Sequence, residues 1–249
     1  MSVPHKPETT AYRLYQLAWA GLDWFYPPVC GGCGAPGSRW CVKCIARTNR
    51  IGFNVCQRCG IEGQVNGLCS SCSHSPPAYK ALRSWAYFEA SLRNALHRLK
   101  YKKDVALGEV LARHLVALLD ELDWGVDIIV PVPLGVARQS ERGYNQASLL
   151  ARPLALATDI PYRPKALVKK FDTPSQVGLS TAQRKMNVKD AFTGVYQVVS
   201  GKRVLLVDDV CTSGATIENC ALALTTAGAK DIYALTLARV RFSHSQSFT

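Results

Sequence analysis

Arg203-Val-Leu-Leu-Val207-Asp208-Asp209-Val210-Cys211-Thr212-Ser213-Gly214-Ala215-Thr216 is the stretch on which the fold turns. An unbroken apolar run reads as a strand buried on both faces, as in a parallel sheet, and here it delivers two adjacent carboxylates at its end. A small, hydroxyl-rich turn then opens an amphipathic helix over residues 215–227. Backbone N–H groups of Val210, Cys211, Thr212, Ser213, Gly214, Ala215 and Thr216, with three hydroxyls and the helix dipole, suit a phosphate. Asp208 and Asp209 accept hydrogen bonds from vicinal sugar hydroxyls. Strand, acid pair and phosphate loop together describe a ribose 5-phosphate site. Helix capping is the plainer role for the acids, yet Thr212 or Ser213 lies nearer the helix start and makes the better cap.

The surrounding pattern is consistent with this. Residues 84–88, 127–132, 166–168, 203–207 and 232–237 read as strands, and 91–99, 107–119, 139–157 and 215–227 as helices. Such alternation predicts an α/β domain, a mostly parallel sheet with helices on both faces. Ligands then sit beyond the carboxyl ends of the strands. Other nucleotide motifs fail. Gly194-x6-Gly201-Lys202-Arg203 is too long for a Walker loop and precedes a strand, and no G-x-G-x-x-G follows an expected strand.

Eight of the ten cysteines form four Cys-x-x-Cys pairs: Cys30/Cys33, Cys41/Cys44, Cys56/Cys59 and Cys69/Cys72. The first two pairs are echoed by the second two, an internal duplication. Two such knuckles complete a four-sulfur tetrahedron, with Gly34 and Gly60 relieving the bend, so two structural zinc ions are expected. The repeat favours sequential over cross-braced sites. Disulfides suit an oxidising compartment and a redox pair needs one motif in a βαβ setting. Cys211 and Cys220 read as small buried side chains.

The chain has 249 residues, 48% hydrophobic, with a formal net charge of +12. It has core enough to fold and favours polyanionic ligands. No apolar run is long enough to span a membrane and no secretory leader is apparent, so a cytoplasmic protein without membrane insertion is expected. The organisation reads as an N-terminal helix in 1–27, a small Cys-rich zinc module in 28–75, a Pro-rich linker in 76–80, the α/β domain in 81–240 and a tail in 241–249. Residues 12–25 have helical spacing, expected to pack on the body. The densest basic run carries Arg93, Arg98, Lys100, Lys102 and Lys103. It reads either as a solvated helix face, with Leu92, Leu96 and Leu99 inward, or as a nucleic-acid surface.

In its acid pair and loop the chain resembles the type I phosphoribosyltransferases. Val130-Pro131-Val132-Pro133-Leu134 with Arg138, then Arg142-Gly143-Tyr144-Asn145-Gln146, then Thr173-Pro-Ser-Gln176 with Leu179, Arg184 and Asn187, resemble the competence protein F (ComF/GntX) family. That family also has an N-terminal double zinc ribbon and an element like Lys100-Tyr101, so the resemblance covers residues 28–240. It implies a type I phosphoribosyltransferase-like domain behind a double zinc ribbon, taking phosphoribosyl pyrophosphate (PRPP) with Mg²⁺. Asp208, Asp209 and Arg142 would be catalytic. Pro131, Val132, Pro133, Leu134 and Arg138 would hold pyrophosphate, and Thr173, Gln176, Arg184 and Asn187 would belong to a closing flap. It also implies a role in uptake or use of external DNA, with a DNA-uptake helicase as partner. Thr212 stands where purine-type members place an Asp, which disfavours purine salvage. Two readings remain: a transferase whose acceptor is not legible, and a non-catalytic factor binding single-stranded DNA through its zinc module and basic run.

Overall fold

The computed structural model describes residues 9–63, 67–170 and 191–241. Its centre is a four-stranded sheet of β1 (Ala81–Tyr87), β6 (Asp231–Arg239), β5 (Arg203–Cys211) and β2 (Ile128–Pro131), in that spatial order. Every pairing in it is parallel. Alternation along β5 fixes the two faces. Leu205 and Val207 join the core under α4 (Ala90–Tyr101), α5 (Leu107–Leu122) and α7 (Gln146–Thr158), whereas Val204 and Leu206 join the core under α9 (Ala215–Thr226). Period-two side chains buried on both sides give the unbroken apolar run seen in the sequence. In α5, Leu111, Leu115, Leu118 and Leu119 repeat at helical spacing and are buried.

Several expectations change in detail. The segment expected as one helix over 139–157 is two: α6 (Val136–Arg142) ends at Gly143, whose φ of 81° is left-handed, and Asn145 caps α7. Only glycine takes that conformation without strain, which accounts for its place inside an otherwise helical stretch. The strand expected at 166–168 is β3 (Leu167–Lys169), outside the main sheet and antiparallel to an unanticipated β4 (Phe192–Gly194), which a short α8 (Tyr196–Val199) follows. The edge of β2 is flanked instead by Tyr162, in a parallel bridge to Ile129.

α1 (Thr10–Phe25) is anchored at its start, where Thr9 donates to the Leu156 carbonyl and the buried Tyr12 hydroxyl donates to Glu109. Its far half is not packed as expected: Leu17, Leu22, Trp24 and Phe25 are exposed. Two short helices, α2 (Val42–Ala46) and α3 (Ser70–His74), are built on the second pair of each cysteine set, with Cys41 and Cys69 as N-cap residues and Cys44 and Cys72 inside the helices. From the end of the first set into the second, the chain lies along the outer edge of β1: Tyr87 N–H donates to Asn49 O, Ile51 N–H to Trp85 O and Leu82 N–H to Arg58 O. That edge would otherwise present unpaired backbone groups to a second chain.

Candidate functional site

β5 runs four residues past the apolar stretch that ends at Val207, so both acids are strand residues delivered to the carboxyl end of the sheet. Asp209 is buried and Asp208 half-buried. Asp209 N–H donates to Asp208 Oδ1 at 2.8 Å. Burial and then the neighbouring Asp209 charge push the Asp208 carboxyl well above the usual carboxylate range, against the pull of Lys100. Lys100 Nζ stands 2.9 Å from Asp209 Oδ2.

These groups face a cleft of about 630 Å³. Its other walls are the first turn of α9 at Ala215 and Thr216, the turn after β2 at Val132, Pro133 and Leu134, and the cations Arg138, Arg142 and Lys169. Gly214 is the α9 N-cap residue; Ser213 Oγ accepts from Ala215 N–H only at 3.4 Å, and neither it nor Thr212 provides the side-chain cap expected of them. The N-terminal N–H groups of α9 are thus left for a ligand. The turn after β2 is fixed by Asn145, whose Nδ2 donates to the Val132 carbonyl while its Oδ1 accepts from Ala147 N–H, each at 2.9 Å.

The fold therefore brings together, from separate stretches, Asp208, Asp209, Val132, Pro133, Leu134, Arg138, Arg142, Ala215 and Thr216. Pro131 ends β2 immediately before the turn, and Val210 and Cys211 end β5, with Cys211 buried as expected. Thr173, Gln176, Arg184 and Asn187 lie outside the described residues. The basic run divides. Arg93, Lys102 and Lys103 are exposed, Arg98 holds Asp104 at 2.7 Å, and Lys100 belongs to the cleft. Tyr101, Gln146, Lys169 and Phe192 also line the cleft, without having been assigned from sequence. Arg142 lies over the Tyr101 ring, 4.9 Å from its centroid. A second cavity of about 470 Å³, among Arg113, Trp124 and Ile160, precedes β2 and is remote from the acid pair.

The cysteines form two sequential clusters, Cys30/Cys33/Cys41/Cys44 and Cys56/Cys59/Cys69/Cys72, each with its sulfurs within 4.8 Å of one another. Measured edges of 3.6 to 3.7 Å match the roughly 3.8 Å spacing that Zn–S bonds of about 2.3 Å impose on a tetrahedron. Against burial, backbone N–H donors draw Cys30 and Cys56 down to about 6, while burial pushes Cys44, Cys59 and Cys72 up. A dication reconciles four thiolates in each cluster. Gly34 and Gly60 have positive φ, and at Gly60 a Cβ would meet the Leu82 carbonyl at 2.5 Å. The first cluster is continuous with the main core through Cys30, Trp40 and Cys44. The second is tied to the sheet by arginines: buried Arg239 donates to Cys59 O, and Arg83 to Cys56 O and Gln57 O.

A parallel sheet with a carboxylate pair at a strand end, facing a helix N-terminus across a cationic cleft, behind two four-cysteine centres, defines a double zinc ribbon joined to a phosphoribosyltransferase-type domain. Family comparison agrees: residues 21–73 match the double zinc ribbon domain and 105–244 the phosphoribosyl transferase domain. The chain belongs to the family of competence protein F and its relatives. It is 32% identical over 223 residues to DNA utilization protein YhgH of Salmonella typhi, covering 86% of this chain and 97% of that one. It is 31% identical over 195 residues to Competence protein F of Haemophilus influenzae, covering 75% of this chain and 85% of that one. Among solved structures, it is similar to glutamine PRPP amidotransferase from B. subtilis, at 24% identity and a TM-score of 0.36. That match covers 74% of this chain and 32% of the enzyme, so the chain spans about a third of its length. Among the described residues no helix is long and apolar enough to cross a membrane.

Proposed function

We propose that the cleft binds PRPP and that the protein is a phosphoribosyltransferase-like factor acting in the uptake or use of external DNA. The observation that carries this is the opposition of Asp208 and Asp209 to the α9 N-terminus within one cleft rimmed by Lys100, Arg138 and Arg142. In this reading the carboxylates accept from the ribose hydroxyls, the loop from Val210 to Thr216 holds the 5-phosphate, and the turn from Pro131 to Leu134 holds the pyrophosphate. The guanidinium groups of Arg138 and Arg142 complement the polyphosphate, Arg142 being oriented by Tyr101. As the C1–O bond breaks, its electron pair leaves with pyrophosphate, and the cationic sugar carbon develops beside the acid pair, which stabilises it. Mg²⁺ bound with PRPP would supply further charge neutralisation at the pyrophosphate, beside Arg138 and Arg142. The names of the relatives support the DNA role. Pyrophosphate release from PRPP, measured with a panel of bases and with single-stranded DNA, tests the reading. Acceptor-dependent release makes the protein a transferase, and binding without release makes it a PRPP-responsive module. Absence of PRPP binding refutes both.

Direct binding of single-stranded DNA is a second, compatible role. It is favoured by Trp24, Phe25 and Tyr26, consecutive and strongly exposed just before the first ribbon, which itself carries the exposed cations Lys43 and Arg47. Exposed aromatic faces are stacking platforms for bases, and cations beside them track the phosphates. Arg58 is a weaker candidate for that surface, because its guanidinium donates to the carbonyls of Pro77 and Tyr79. Arg50 is likewise engaged, with Glu121.

A further inference from the structure

Gln146 opens α7, a helix of 13 residues, and is 97% buried, with 3% of its surface exposed. It lines the cleft, and its Nε2 is closed off from solvent with no hydrogen-bond partner among the described residues. Folded proteins rarely leave a buried amide donor unsatisfied, and the exceptions concentrate where a ligand completes the bond. The surroundings say which ligand. The N-terminal end of α7 carries partial positive charge, and Asn145 ties that end to the Val132 carbonyl of the turn after β2. Arg138 and Arg142 stand in the same wall. The acid pair, by contrast, suits hydroxyl donors and has its own partner in Lys100. A donor on the cationic wall selects an anionic acceptor.

We infer that Gln146 contacts the ligand directly, its amide turning into the cleft so that Nε2 donates to a pyrophosphate oxygen of PRPP. This rests on the phosphoribosyl reading of the cleft and adds a second anion cradle, at the start of α7, to the one at the start of α9. The cleft then takes a ribose phosphate doubly: α9 reads the 5-phosphate and α7 reads the pyrophosphate. Gln146 thereby discriminates PRPP from ribose 5-phosphate.

The test is calorimetric titration of the full-length protein and of Gln146→Leu and Gln146→Glu with Mg²⁺ plus PRPP, with inorganic pyrophosphate and with ribose 5-phosphate. Loss of a donor to a charged acceptor should weaken PRPP and pyrophosphate by at least ~10-fold in Gln146→Leu and further in Gln146→Glu, with ribose 5-phosphate within about twofold. Because Leu removes an unsatisfied buried donor, the thermal midpoint of Gln146→Leu should stay level or rise. Unchanged PRPP and pyrophosphate affinity in both variants overturns the inference. So does equal weakening of all three ligands with a lowered thermal midpoint, which would make Gln146 a packing residue. A parent protein that binds none of the three overturns the phosphoribosyl reading itself.

Discussion

Lys100 Nζ lies 2.9 Å from Asp209 Oδ2, joining the last turn of α4 to the end of β5. One residue of a basic run thus sits inside the cleft as the counter-ion of the acid pair, while Lys102 and Lys103 beside it face solvent.

Lys100→Met should therefore act on the cleft. Without the ammonium, Asp208 and Asp209 repel with less compensation, a proton is held more firmly, and PRPP affinity near neutral pH should fall ~10-fold and recover in part at higher pH. Binding of single-stranded DNA should barely change. Intact PRPP affinity with weakened DNA binding would return Lys100 to the nucleic-acid surface.

The raised Asp208 value, about 7, sets a pH dependence. Between the unfolded carboxylate's pKa near ~4 and about 7, the folded protein keeps a proton that the unfolded chain has released, so this group lowers stability as pH rises through that window. Ribose hydroxyls prefer the charged form, so PRPP affinity should climb as pH rises from about 6 to about 8. Titration calorimetry in buffers of different ionisation heat should show proton release on binding, lost in Asp208→Asn. A flat profile in the parent would contradict the assignment.

The two cysteine clusters should each hold one zinc, and metal analysis of Cys33→Ser and Cys72→Ser should each show the loss of about half the metal. The consequences should differ. Arg239, which pairs in register with Cys211 across β5 and β6, also donates to Cys59 O. Disturbing the second ribbon should therefore also weaken PRPP binding. Arg239→Met, leaving Cys59 O without its donor, should cost about 1–3 kcal/mol in denaturant unfolding. Loss of all metal from either single cysteine variant would contradict independent sites.

The DNA surface has its own signature. Replacing Trp24, Phe25 and Tyr26 together with Ala should weaken single-stranded DNA binding by several kcal/mol at most, at about 1–3 kcal/mol per stacked base, without altering the salt slope. Lys43→Gln with Arg47→Gln should reduce that slope by ~0.7 for every phosphate that is no longer neutralised. An unaltered affinity in all of these variants would remove the ribbon from the DNA-binding surface.

The parallel sheet and the sequential cysteine clusters were legible because each depends on local patterns. The unbroken apolar run of residues 204–207 and the repeated Cys-x-x-Cys spacing encode them directly, and the acid pair falls where the apolar run stops. What was not legible depends on three-dimensional neighbours. Counting charge over residues 93–103 does not show that Lys100, next to inward Leu99, turns to β5 from a helix whose other cations face water or hold Asp104. Gln146 is polar and opens a helix, so only packing reveals that its amide is buried. β4, three residues long, carries too little pattern to announce itself, and helical spacing in residues 12–25 does not say that Leu17, Leu22, Trp24 and Phe25 stay exposed among the described residues.

The most direct test of the account is titration of Mg²⁺ plus PRPP into the parent protein and into the double variant Asp208→Asn, Asp209→Asn. Asn keeps the shape of the acids and removes their charge, and with it the repulsion between them. The account predicts saturable binding by the parent and affinity lower by at least ~30-fold in the double variant, a loss of about 2 kcal/mol, with a thermal midpoint that is unchanged or higher. Equal affinity in the two proteins, or a parent that binds no PRPP, would contradict it.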